Sequence, residues 1–204
     1  MHDSLTSYLD VLPSFVDAEV LRCAGTAEHS SRVGTICAAM SRTLRLEPKD
    51  VEVMNWIGIL HDLGKLAVPA QILRKPGPLT RLEWVEVKQH PIVGSDLVLA
   101  ISPGLAPLAE AVRAHHERWD GSGCPDKLDK FDIPLFGRIV AIADVFDAIT
   151  HPRDYRAGHL TTDEGIEFVQ HVSNRRFDPE LVRVFNDSLK TVSRFGKDTP
   201  AAVT

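Results

Sequence analysis

An all-α fold, built as one helical domain, is what this chain predicts. Three observations point there. Apolar residues recur at helical spacing along most of its length, helix-start signals precede several of those runs, and no stretch alternates convincingly enough to read as a strand. The 204 residues are long enough for one sizeable core.

A helical arm is expected over residues 1–20, a single domain over 21–195 and a polar tail over 196–204. Within the domain, Val33, Ile36, Cys37, Met40 and Leu44 make the first stripe. Val53, Trp56, Ile57 and Leu60 make the second. Lys75 to Leu79 reads as a Gly/Pro loop. Thr80 with Glu83 has capping-box spacing, as has Thr161 with Glu164. Pro91 suits the first turn of a segment opened by His90. Leu105, Leu108, Ala109 and Val112 make a third stripe, ahead of a loop over Asp120 to Asp132. Arg138 to Ile149 is almost wholly apolar and predicts a buried helix. Asp178-Pro179 reads as N-cap then N1, before a stripe of Val182, Phe185, Leu189 and Val192.

Composition narrows the function. The net charge is −5, so no basic footprint for a nucleic-acid polymer is present. Cys23, Cys37 and Cys124 form no C-x-x-C pair and are odd in number, which predicts reduced thiols in a cytoplasm. No signal peptide and no membrane insertion are expected.

Of nine histidines, five extend apolar stripes or open a segment. His29 lies four before Val33, and His61 four after Ile57. His115 and His116 lie three and four after Val112, and His90 opens its segment. These spacings aim imidazoles at the core. One such histidine is ordinarily satisfied by a backbone carbonyl. Five on four segments, two of them adjacent, predict a metal centre, since neutral imidazole is a common ligand. His2, His151, His159 and His171 lack this placement and are read as surface or loop residues.

Carboxylates join them. Asp62 follows His61 at a helix end marked by Gly64. Asp144 sits within the apolar helix, where an unpaired carboxylate is costly and a cation is the natural partner. For Asp147, three residues on, three readings stand: a contact to substrate, a surface carboxylate, or a hydrogen bond to a neighbouring segment. Nitrogen and hard-oxygen donors suit iron, manganese, zinc or nickel. Seven candidates exceed what one ion can use, whereas two ions sharing a carboxylate can use them. Two-ion sites stabilise in-line displacement at phosphorus. Adjacent histidines differ by about 100° around a helix, so His115 and His116 reach different sides of a cluster.

The blocks HDLGK (61–65), HPIVG (90–94), HHERWDGSGCP (115–125), RIVAIADVFDAIT (138–150) and RDYR (153–156) resemble the HD-GYP domain, a branch of the HD superfamily of metal-dependent phosphohydrolases. The resemblance runs from about residue 25 to 185. It implies an all-helical fold, a bacterial source, and hydrolysis of cyclic di-GMP to pGpG or GMP by a metal-bridging hydroxide. It implies two divalent ions, iron or manganese. His29, His61, Asp62 and Asp144 are similar to the ligands of the first, with Asp62 also bridging to a second held by His90 and His115. Lys65 resembles a catalytic lysine beside the scissile phosphate; from the residue alone it is equally a cation near a helix C-terminus.

Two departures stand out. Where three-metal members of the family carry a glutamate, four before the first histidine, this chain has Gly25, so a third ion is not expected. His116, similar to a ligand of that third site, is the least secure of the seven. Cys124 stands where the family motif has tyrosine, while Gly121, Gly123 and Pro125 keep the turning chemistry of the loop. Arg153 and Arg156 are spaced like a basic pair that would hold the second phosphate of a cyclic dinucleotide. The alternatives to cyclic di-GMP hydrolysis are a phosphohydrolase of another cyclic dinucleotide or nucleotide, and a non-catalytic sensor or interaction module. Regulation falls to a partner protein, a homodimer or the metal state.

Overall fold

The computed structural model describes residues 26–152 and 158–195. The expected arm over 1–20, the tail over 196–204, Gly25, Arg153 and Arg156 lie outside them. The helices are α1 (Thr26–Thr43), α2 (Pro48–Leu60), a short α3 (Ala70–Leu73), α4 (Arg81–Val87) and α5 (His90–Ile101). They continue with α6 (Ala106–Ala114), α7 (Leu135–Thr150), α8 (Thr162–His171) and α9 (Pro179–Phe195). A 3-10 turn, Leu63–Ala67, follows α2. Among the described residues no strand forms, only an isolated bridge between Ser173 and Phe177. The all-α expectation holds.

The apolar α7 is central. It is buried around most of its circumference and meets α1, α2, α6, α8 and α9. Val33, Cys37 and Met40 of α1 and Val53, Ile57 and Leu60 of α2 share its core. So do Leu108 and Val112 of α6 and Val182 and Phe185 of α9. Both expected capping boxes form. Thr80 Oγ1 accepts from the Glu83 amide at 3.3 Å and Glu83 Oε2 accepts from the Thr80 amide at 2.6 Å. At Thr161 and Glu164 the distances are 3.3 and 2.8 Å. Asp178 Oδ1 accepts from the Glu180 amide at 2.9 Å, so the Asp-Pro start is also real.

One expectation shifts. The third stripe begins in a separate 3-10 turn, Pro103–Leu105, and α6 starts only at Ala106, although Leu105 still reaches the core. Ser102 Oγ caps that turn by accepting from the Gly104 amide at 3.0 Å.

A second framework is stitched by glycine. A Cβ on Gly64 would sit 1.9 Å from the His90 carbonyl oxygen and 2.6 Å from the Gly94 amide. Only backbone fits there, so the turn after α2 lies directly on α5. That contact sets Asp62 and Lys65 beside His90. No helix of the described residues is long and apolar enough to cross a membrane.

Candidate metal centre

The structure brings all seven sequence-chosen ligands into one place. They fall into two groups, His29 with His61 and Asp144, and His90 with His115 and His116. Within each group the candidate donor atoms lie within 4.8 Å of one another. Asp62 stands between the groups. Its Oδ2 is 3.4 Å from His61 Nε2, and its Oδ1 is 3.2 Å from His90 Nε2.

Three of the histidines occupy helix ends. His61 and His115 are the first residues past α2 and α6, and His90 follows α4 closely. Each Nδ1 donates to the carbonyl three residues back: His61 to Gly58 at 2.7 Å, His90 to Val87 at 2.7 Å, His115 to Val112 at 2.6 Å. Carbonyls at a helix C-terminus lack intrahelical donors, so one bond serves the helix and orients the ring. A carbonyl only accepts, so Nδ1 carries the hydrogen and the Nε2 lone pair faces the centre. Three C-terminal helix dipoles then converge their negative ends on one spot.

The fourth ring is held differently. His29 lies inside α1 and its Nδ1 donates to Asp147 Oδ2 at 2.6 Å, leaving Nε2 3.2 Å from Asp144 Oδ1. Asp147 is buried and also accepts a fork from Arg32, Nε at 2.6 Å and Nη2 at 3.0 Å. Of its three readings, the hydrogen bond to a neighbouring segment is the contact observed. His151, read from sequence as a surface residue, reaches Asp147 Oδ1 at 3.0 Å.

The donor set fits divalent ions. His61 Nε2 is buried without a hydrogen bond, 3.4 and 3.6 Å from oxygens of Asp62 and Asp144. His90 Nε2 and His115 Nε2 face each other at 3.2 Å, an approach of two acceptors that only a proton or cation relieves. Burial opposes charge on His61, yet Asp62 and Asp144 push its pKa up to about 10, so without an ion a proton stands at Nε2 in the place a cation would take. Burial pulls His115 well below the usual imidazole range and His116 down to about 4, so both offer neutral nitrogens. Burial also opposes ionisation of Asp62, but Lys65 and His61 overcome it and hold the carboxyl well below its usual range. Asp144 is likewise held low, by His29 and His61 against burial.

His116 joins the second group, its ring 4.0 Å from that of His115 and 5.0 Å from that of His90. It is less buried than its neighbour. Lys65 Nζ donates to Asp62 Oδ2 and stays partly exposed. The Gly121–Pro125 loop returns to the histidine pair, where the Cys124 amide donates to the His116 carbonyl at 3.3 Å. Buried Glu117 anchors this return by accepting from the amides of Asp126 at 2.6 Å and Lys127 at 3.0 Å. A Cβ on Gly123 would meet the Arg118 amide at 2.4 Å, which keeps the loop flat on that strip of chain. Sequence reasoning missed Arg32, Glu117 and His151. The signal for His151 was its spacing four after Asp147; for Arg32 it was a basic residue one turn from His29.

Comparison with known proteins agrees. A family model described as HD domain matches residues 16–181. A 3'3'-cGAMP-specific phosphodiesterase of Vibrio cholerae is 36% identical over 86% of this chain and 34% of its own length. A cyclic di-GMP phosphodiesterase of Thermotoga maritima is 35% identical over 87% of this chain and 46% of its own. The chain thus spans a third to under a half of these curated relatives. An HDG"Y"P protein of Bdellovibrio bacteriovorus superposes with a TM-score of 0.64 at 18% identity, over 90% of this chain and 60% of that one. With the His-Asp pair at the end of α2 and the family model covering most of its length, the chain belongs to the HD domain family.

Proposed function

We propose that this chain is a metal-dependent phosphodiesterase that opens cyclic di-GMP to pGpG or GMP. The observation that carries the reading is Asp62, whose two oxygens face two separate groups of ligand atoms. A carboxylate so placed would bridge two ions. When bound, two divalent ions, iron or manganese, supply Lewis acidity and an activated water. The chain's own residues supply the rest. His29, His61 and Asp144 would hold one ion; His90 and His115, with His116 beside them, would hold the other. Lys65 touches Asp62 and remains partly exposed, so its ammonium can meet the leaving oxygen as negative charge develops there. Arg153 and Arg156 follow α7 and hold the second phosphate.

A second substrate has specific support. Relatives named for 3'3'-cGAMP match as well as those named for cyclic di-GMP, at 36% and 35% identity. The test is anaerobically purified protein, supplied with iron or manganese, given both dinucleotides, with products separated chromatographically. Formation of pGpG or GMP supports the proposal. Turnover of 3'3'-cGAMP alone moves the assignment to that substrate. Two bound ions with no turnover of either make the chain a binding module.

A further inference from the structure

Every ligand histidine needs something to orient its second nitrogen. For His61, His90 and His115 that is a backbone carbonyl. For His29 it is a side chain, Asp147, and Asp147 is itself clamped. Both its oxygens are engaged by Arg32, at 2.6 and 3.0 Å, and the clamped Oδ2 accepts the His29 hydrogen at 2.6 Å. Arg32 and His29 share one face of α1, three residues apart, while Asp147 comes from α7.

We propose that Arg32 is a positioning residue for one ion of the pair, acting through Asp147 on His29. The fork fixes the plane of the carboxylate, because guanidinium offers paired donors in a rigid geometry. That plane decides where Oδ2 lies, and Oδ2 fixes the His29 tautomer and aims Nε2 at Asp144. Arg32 also offsets the charge of Asp147, which otherwise stands as a second carboxylate against the His29 ring, beside Asp144. Without the fork Asp147 keeps only His29 at Oδ2 and His151 at Oδ1, two single contacts that fix its plane less firmly than a paired donor does. The ion position between His90 and His115 lies outside this chain of contacts and meets the His29 side at Asp62. Its histidines are oriented by main chain, which no side-chain substitution removes.

The inference rests on the two-ion reading of the site. Its test is equilibrium dialysis of the full chain against graded Mn²⁺, with bound metal counted and folding followed by far-UV circular dichroism. Wild type should bind two ions. Arg32→Ala should bind one with wild-type affinity and the other about 10- to 100-fold more weakly, the usual cost of losing a partner behind a metal ligand. Arg32→Lys keeps the charge and loses the fork, so it should recover only part of the affinity. Adding Arg32→Ala to His29→Ala should cost nothing further, whereas adding it to His90→Ala should weaken both positions. Two ions held at wild-type affinity by Arg32→Ala overturn the inference, as does equal weakening of both. Full recovery by Arg32→Lys overturns the role of the fork. A wild-type protein that binds no Mn²⁺ sinks the two-ion reading itself, a separate result.

Discussion

The two halves of the metal centre are built by different means. The half around His29, His61 and Asp144 rests on α1, α2 and α7, whose apolar faces form the main core. Its charge is carboxylate-rich, and its one mid-helix histidine is steered by side chains. The half around His90, His115 and His116 is rich in imidazole and hangs on shorter elements. Helix α4, whose last carbonyl orients His90, buries none of its side chains. It is held by its capping box and by Lys75, whose Nζ reaches both Glu83 oxygens at 2.6 and 2.9 Å. The difference teaches that one group of candidate ligands is set by core packing and carboxylate charge. The other is set by close backbone contact and neutral nitrogens.

Among the described residues Asp62 is the one placed to serve both halves, so its loss should erase the contrast. Asp62→Ala should release both ions and lower hydrolysis about 10³-fold or more, since two Lewis-acid ions contribute several kcal/mol at about 1.4 kcal/mol per decade. Metal analysis after desalting, alongside turnover, checks this. If one ion stays bound at wild-type affinity, Asp62 belongs to a single half.

Gly64→Ala should separate the halves. The new Cβ would strike the His90 carbonyl, and neither backbone can yield without moving α5 off the turn. We expect a loss of about 1–3 kcal/mol in stability, the range for overpacking. The imidazole-side ion should weaken while the His29 side is spared. Thermal melts and a metal titration read both. An unchanged second ion would mean that α5 is positioned by α6 and not by the turn.

Much of this was legible in the sequence. Periodicity gave α1, α2, α6, α7 and α9 because each has one face, or in α7 nearly every face, in a single core. Capping boxes gave the starts of α4 and α8. The clustering of the seven candidate ligands was legible because buried imidazole and carboxylate are conspicuous on apolar faces. What sits behind them was not. Arg32 reads as an ordinary exposed cation on α1, since its partner lies 115 positions away on α7. Glu117 reads as a loop carboxylate, since its partners are main-chain amides that carry no residue signature. His61 and His115 were expected on helix faces and lie just past helix ends, because the bond to the carbonyl three back preserves the spacing while ending the helix.

The smallest expected effect concerns the loop beside the imidazole half. The family resemblance puts tyrosine where this chain has Cys124. The thiol is half-buried and burial raises its pKa, so at neutral pH it is an uncharged filler and not a ligand. Its backbone, however, is bonded to the residue that ends the histidine pair, and Glu117 pins the loop from the other side. A larger side chain at 124 therefore grows from a backbone tied to the His116 carbonyl. Cys124→Tyr should leave the metal count at the wild-type value. A ring able to stack on a guanine base contributes about 0.5–1.5 kcal/mol, so KM for cyclic di-GMP should fall about two- to tenfold with kcat little changed. The shift should differ between cyclic di-GMP and 3'3'-cGAMP, whose bases differ at one position, and competition between the two substrates measures it. Loss of metal in Cys124→Tyr would show that the loop braces the imidazole half. Equal KM for both substrates in both proteins would show that position 124 does not touch the base.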